Sequence, residues 1–127
     1  MTERSLRSAL LAARAASAKS AHDIVVLQVA GLTTITDHFV ICSGPTDRAV
    51  ASIVDEILKE LRDAGVKPYR IEGMEDRRWV LIDFLDFVAH VFHQEERDFY
   101  ELERLWKDAT PVSFDEPKVA TDLDPAG

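Results

Sequence analysis

The chain has 127 residues, 46% hydrophobic and 30% charged, enough for one globular domain that buries roughly two-thirds of its unfolded surface. No apolar run reaches the ~18 residues of a membrane helix, and the single cysteine, Cys42, excludes an internal disulfide and fits a reducing compartment. Fifteen basic residues against 23 acidic ones leave a net charge of −8, which argues against nucleic acid as the main contact, because phosphate binding needs clustered Lys and Arg.

Residues 4 to 20, RSLRSALLAARAASAKS, are rich in Ala, Leu and Arg, which favour helix. They also have the Arg-rich, Ser-rich, acid-poor composition of a transit peptide. Because they run directly into the first strand, the structural expectation is a first helix laid on the domain. Asp23 to Ala30, DIVVLQVA, is apolar on both alternating faces apart from Gln28, so it is expected as a central strand covered on both sides. GLTTITD reads as a loop or irregular crossing, and His38 to Ser43 as the second strand. Gly44-Pro45 breaks that strand, and Thr46 is placed to cap a helix.

That helix has the clearest period in the chain. Val50, Ile53, Val54, Ile57, Leu58 and Leu61 recur at i, i+3, i+4 and i+7, with charged residues opposite, and Gly65 follows as a left-handed terminator. Lys67 to Glu72 reads as a short third strand and Gly73 to Arg77 as a polar turn. Trp79 to Asp83 and Phe87 to Phe92 make strands four and five. Glu95 and Glu96 then open a helix, since acidic residues in a first turn favour its positive end; Phe99, Leu102, Leu105 and Trp106 form its apolar side. Residues 111–127 hold three prolines and scattered acids without apolar period and read as a disordered tail beyond a domain at 1–110. The expected class is α/β (α+β): one mixed sheet of about five strands with packed helices, in the order α-β-β-α-β-β-β-α.

Few residues suggest bond-making chemistry. His90 and His93 lie three apart on a strand and point to opposite faces, so they cannot share an ion. His38 and Cys42 share a face but stand about 13 Å apart, too far to ligate one zinc. No metal site is expected, and Cys42, inside an apolar strand, is expected as a neutral packed thiol. Asp83 and Asp86 could hold magnesium or act as acid and base, but such residues more often accept backbone N–H groups in a tight turn. Ser43-Gly44 before a helix is a weak phosphate-cradle signal without the Walker lysine or a G-x-G-x-x-G. Trp79 stands either as a buried anchor or as a partly exposed aromatic beside charged neighbours, the make-up of an interface hot spot.

The chain resembles the ribosomal silencing factor family, also called the Iojap or RsfS family. The resemblance is carried by DIVVLQV, by TDHFVICSG with Thr46 and Arg48, by Glu72-Gly73, by WVLID, by Asp86 with HVF, and by FYELERLW. These blocks lie between about Ala21 and Ala109. The resemblance implies a fold related to nucleotidyltransferases and homodimers when free. It further implies binding to ribosomal protein L-fourteen on the large subunit, which keeps the small subunit from joining and lowers translation when nutrients are scarce. No cofactor and no catalytic residue are expected, and the expected location is cytoplasmic. Trp79, Asp83, Asp86 and His90 are the candidate partner-binding residues. Where the family usually has Gly, this chain has Leu85, which is strained if that position needs positive φ; where the family commonly has Tyr, it has His38, a pH-sensitive group.

Two rival readings are a nucleotidyltransferase-like enzyme or nucleotide-binding protein, and a dimeric scaffold for another partner. The first needs a Gly-Ser helix start and an Asp-x-Asp on the next strand to hold two metal ions. Here Gly44 is followed by Pro45-Thr46, and downstream the first Asp-x-Asp is Asp122 and Asp124 in the tail.

Overall fold

The computed structural model describes residues 2–100 and 107–113. In chain order the elements are α1 (Thr2–Ala18), β1 (His22–Gln28), β2 (His38–Gly44), α2 (Asp47–Asp63), β3 (Arg70–Glu72), β4 (Trp79–Asp83), β5 (Phe87–His93), α3 (Gln94–Tyr100) and β6 (Thr110–Pro111). The strands form one mixed sheet in the order β3-β4-β5-β2-β1-β6. Only β2 and β5 pair in parallel; the other neighbours are antiparallel.

The expected α-β-β-α-β-β-β-α order is present, and β6 is added to it. Thr110 and Pro111 pair with Gln28 and Leu27, and Val112 donates its N–H to the Val26 carbonyl at 2.8 Å. This strand was missed because two residues around a proline carry no readable period. Residues 114–127 of the expected tail lie outside the described residues, as do the expected helix positions Leu102, Leu105 and Trp106.

Helix α2 follows from its sequence. Thr46, in extended conformation, accepts the Ala49 N–H on its side chain at 3.0 Å, meeting one of the free donors of the first turn. Val50, Ile53, Val54, Ile57 and Leu61 are buried. At the other end Gly65 takes φ +85°, and the Val66 and Gly65 amides bond back to the carbonyls of Leu61 and Arg62, the double closure of a Schellman end. Helix α1 lies beside α2 and buries Ala9, Ala12, Ala13, Ala15 and Ala16. These small side chains let it approach the sheet closely.

The two helices cover one face of the sheet. Val40 and Cys42 of β2, Val80 and Ile82 of β4, and Ala89 and Val91 of β5 meet them in one apolar cluster. Strand alternation sends the intervening residues to the other face, where Leu27, Ile41 and Phe92 form a second cluster with Val25, Phe39 and Trp79 packed on it. Strand β1 differs from expectation. It is the last strand but one, with His22 and Asp23 exposed and only Val26 and Leu27 buried. Ile24 and Val25 pack only partly against the two apolar clusters, and full burial is reached at Val26 and Leu27.

Candidate functional site

The register of β4 on β5 sets Trp79 opposite Phe92, Leu81 opposite His90 and Asp83 opposite Val88, all toward the face away from α1 and α2. Trp79 is half-buried and stacks on Phe92, with ring centroids 4.9 Å apart and planes 28° from parallel. Its indole Nε1–H donates to His90 Nδ1 at 3.1 Å. Phe39 meets His90 edge-on at 5.0 Å. Trp79 is therefore both alternatives at once, an anchor on the sheet and a partly exposed aromatic.

His90 is 6% exposed. Burial pulls its pKa down to about 4, because a charged imidazole loses its hydration there. The ring is neutral near pH 7 and carries one proton. Since Nδ1 accepts from Trp79, that proton sits on Nε2, which is buried with no hydrogen-bond partner among the described residues. Charged groups border this face. Arg78, next to Trp79, contacts Glu95 at 2.9 Å and Glu96 at 3.3 Å, tying the start of α3 to the β4 edge.

The other two sequence candidates divide. Asp83 shares the face of Trp79 and His90, but accepts the Leu85 N–H at 2.8 Å and approaches Arg70 at 3.5 Å. It thus holds the β4–β5 turn, as the structural reading anticipates. Asp86 stands in that turn, beside α1, where Arg4 lies 3.6 Å from its carboxylate. Trp79 and His90 are in contact; Asp86 belongs to a different surface. Phe39 and Phe92 complete the aromatic cluster and were not singled out from sequence. Alternation in HFVICS groups Phe39 with Ile41, but not which strand lies alongside.

Leu85 adopts φ +74° and is 56% exposed, so the strain anticipated where the family has Gly is present. His38 is buried, and its Nδ1 lies 2.7 Å from Ser5 Oγ. Ser5 spends its single proton on the Asp86 carbonyl at 2.7 Å, so His38 Nδ1 is the donor to Ser5 Oγ. Desolvation lowers the His38 pKa, opposed in part by Asp37. Cys42 is fully buried and its thiol is pushed up to about 12 by desolvation, in keeping with a packed, unreactive group. Gly44 is enclosed by α2, where an added Cβ would meet Ala49, Ile53 and the Val50 amide at 3.2 Å, which leaves no open cradle at Ser43-Gly44. Among the described residues no group of three or more His, Cys, Asp or Glu could hold a metal, and no helix is long and apolar enough to cross a membrane.

An aromatic sheet face bordered by acidic residues, backed by two helices, defines a small α/β domain with a surface suited to macromolecular contact. The chain belongs to the family described as ribosomal silencing factor during starvation, whose model matches residues 2–126. It is 41% identical over 105 residues to the ribosomal silencing factor RsfS of Bacillus subtilis, covering 83% of this chain and 89% of that protein. It is also 38% identical over 101 residues to the mouse protein named mitochondrial assembly of ribosomal large subunit protein 1, covering 77% of this chain and 43% of that one. Among solved structures, a Bacillus halodurans protein matches with TM-score 0.72 at 40% identity, covering 82% of this chain and 94% of that one. A Chromobacterium violaceum protein matches with TM-score 0.78 at 28% identity, over 91% and 95%.

Proposed function

We propose that this protein binds the large ribosomal subunit in the cytoplasm through ribosomal protein L-fourteen and, by occupying that surface, keeps the small subunit from joining. Translation falls as a result when nutrients are scarce. Free molecules pair as homodimers. The observation that carries the reading is the Trp79–His90–Phe92 cluster on a chain of net charge −8. A half-buried tryptophan held in one orientation is a hot-spot anchor, and an acidic surface suits a basic ribosomal protein.

Steric exclusion asks only for enough complementary area, roughly 800 Å² on each partner, and no bond is made or broken. His90 acts as a positioning residue, its neutral Nδ1 holding the indole N–H. Asp83 fixes the adjoining turn, and Asp86 adds negative charge at its end. The direct test is a pull-down of purified L-fourteen at two salt concentrations. Capture that weakens as salt rises supports a charge-assisted contact; no capture at low salt removes L-fourteen as the partner.

A further inference from the structure

On the opposite side of the β4–β5 turn from Trp79, a cleft of about 530 Å³ opens between the start of α1 and the end of α2. Its polar wall carries Arg4, Arg7 and Lys67, a local excess of positive charge on a chain whose net charge is −8. Asp86 also lines the cleft and sits 3.6 Å from Arg4, leaving two cations over. Arg7 and Lys67 are exposed, and no ion pair joins either of them among the described residues.

The floor is apolar. Leu11 and Val66 are half-buried and pack on the helical core, Phe84 lies beneath them in the lining, and Leu85 stands at the rim. The end of α2, which would repel an anion, is tied off by its own returning amides. Arg4 meanwhile occupies the first turn of α1, where the helix dipole disfavours a cation by a few tenths of a kcal/mol, and Arg7 the second. Asp86 offsets that cost for Arg4, whereas Arg7 has no ion-pair partner among the described residues, and an anionic partner would supply one.

We propose that this cleft binds an acidic, partly apolar segment of a partner protein, with carboxylates on Arg7 and Lys67 and an aliphatic side chain on the Leu11–Val66 floor. Charge complementarity selects the segment's sign. The exposed cationic wall favours a segment lying across the opening over a small molecule, which would be mostly enclosed. The site is separate from the Trp79 face and does not depend on it. The protein thereby presents two faces of opposite preference, and can hold a basic and an acidic partner together.

The test uses the isotope-labelled full chain and a fluorescent peptide of alternating Glu and Leu, with a Lys–Leu peptide, dodecanoate and inorganic phosphate as comparison probes. The Glu–Leu peptide is expected to shift the amides of Arg7, Leu11 and Lys67. Its affinity should fall about tenfold when salt rises several-fold, and at least as far in the double variant Arg7→Glu, Lys67→Glu. Trp79→Ala should leave it unchanged, which separates this site from the ribosomal reading. Circular dichroism checks the fold of the double variant, and Arg7→Gln with Lys67→Gln replaces it if the reversal unfolds the chain. Peptide shifts elsewhere, affinity indifferent to these variants, or cleft shifts from dodecanoate or phosphate but not from the peptide would each overturn the proposal.

Discussion

The two faces of the sheet are built from the same strands and answer to different demands. Toward α1 and α2 the side chains are mostly aliphatic: Val80, Ile82, Ala89 and Val91 meet Val50, Ile53 and Ile57 in one cluster. Cys42 and the stacked Phe84 and Phe87 join them, and the buried imidazole of His38 is bonded to Ser5 of α1. On the other face the same strands place Trp79, His90 and Phe92, two of which bring polar atoms into apolar surroundings. An aliphatic set would be cheaper to bury. The difference teaches that the helical face specifies the fold, while the aromatic face accepts an energetic cost to hold one indole in place.

The sharpest way to break this contrast is at Gly73. Its φ is +92°, and a Cβ there would collide with the Trp79 carbonyl oxygen and crowd Val80. Gly73→Ala is expected to cost about 2–4 kcal/mol, from left-handed strain and overpacking, and to change the near-ultraviolet signal of Trp79. Urea denaturation measures the first. An unshifted midpoint would mean that the Glu72-Gly73 turn does not set the position of β4.

Next in size is the buried imidazole. Burial holds its folded pKa at about 4, below the 6.5 of a free imidazole. The stabilisation is therefore complete above about pH 6.5 and is lost as pH falls to about 4, roughly 3 kcal/mol in all. Protonation would also place a hydrogen on Nδ1 and remove the acceptor that Trp79 uses. His90→Phe should flatten the stability profile between those pH values relative to the parent; parallel profiles would show that His90 does not titrate in the fold.

The smallest effect is expected at Leu85. Replacing a residue at φ +74° by Gly relieves about 1–2 kcal/mol of strain, while the added freedom of the unfolded chain returns roughly 0.5–1 of it. Leu85→Gly should thus stabilise by about half to one kcal/mol, read as a higher denaturation midpoint. A loss of stability would mean that the exposed leucine makes a contact stronger than its strain.

Much of this architecture was legible in the chain. The i, i+3, i+4 pattern from Val50 to Leu61, the Thr46 cap and the Gly65 stop gave α2 almost to the residue, because they are local devices. Strand β6 and the half-exposed start of β1 were not legible, since both depend on which strand lies alongside. The site divides in the same way. Trp79 and His90 stood out by type, but their hydrogen bond depends on pairing Leu81 with His90 across strands. Asp86 was grouped with Asp83 by spacing, and the turn between them separates the two. The basic cleft stayed hidden because its cations come from α1 and from the loop after α2, sixty residues apart.

The central claim is that the Trp79 face obstructs subunit joining by occupying space. Sucrose-gradient sedimentation of purified ribosomal subunits, with the parent protein or with folded Trp79→Ala, tests it most directly. The account predicts that subunits stay apart with the parent and join with the variant. Normal joining in the presence of saturating parent protein, or equal inhibition by Trp79→Ala, would contradict it.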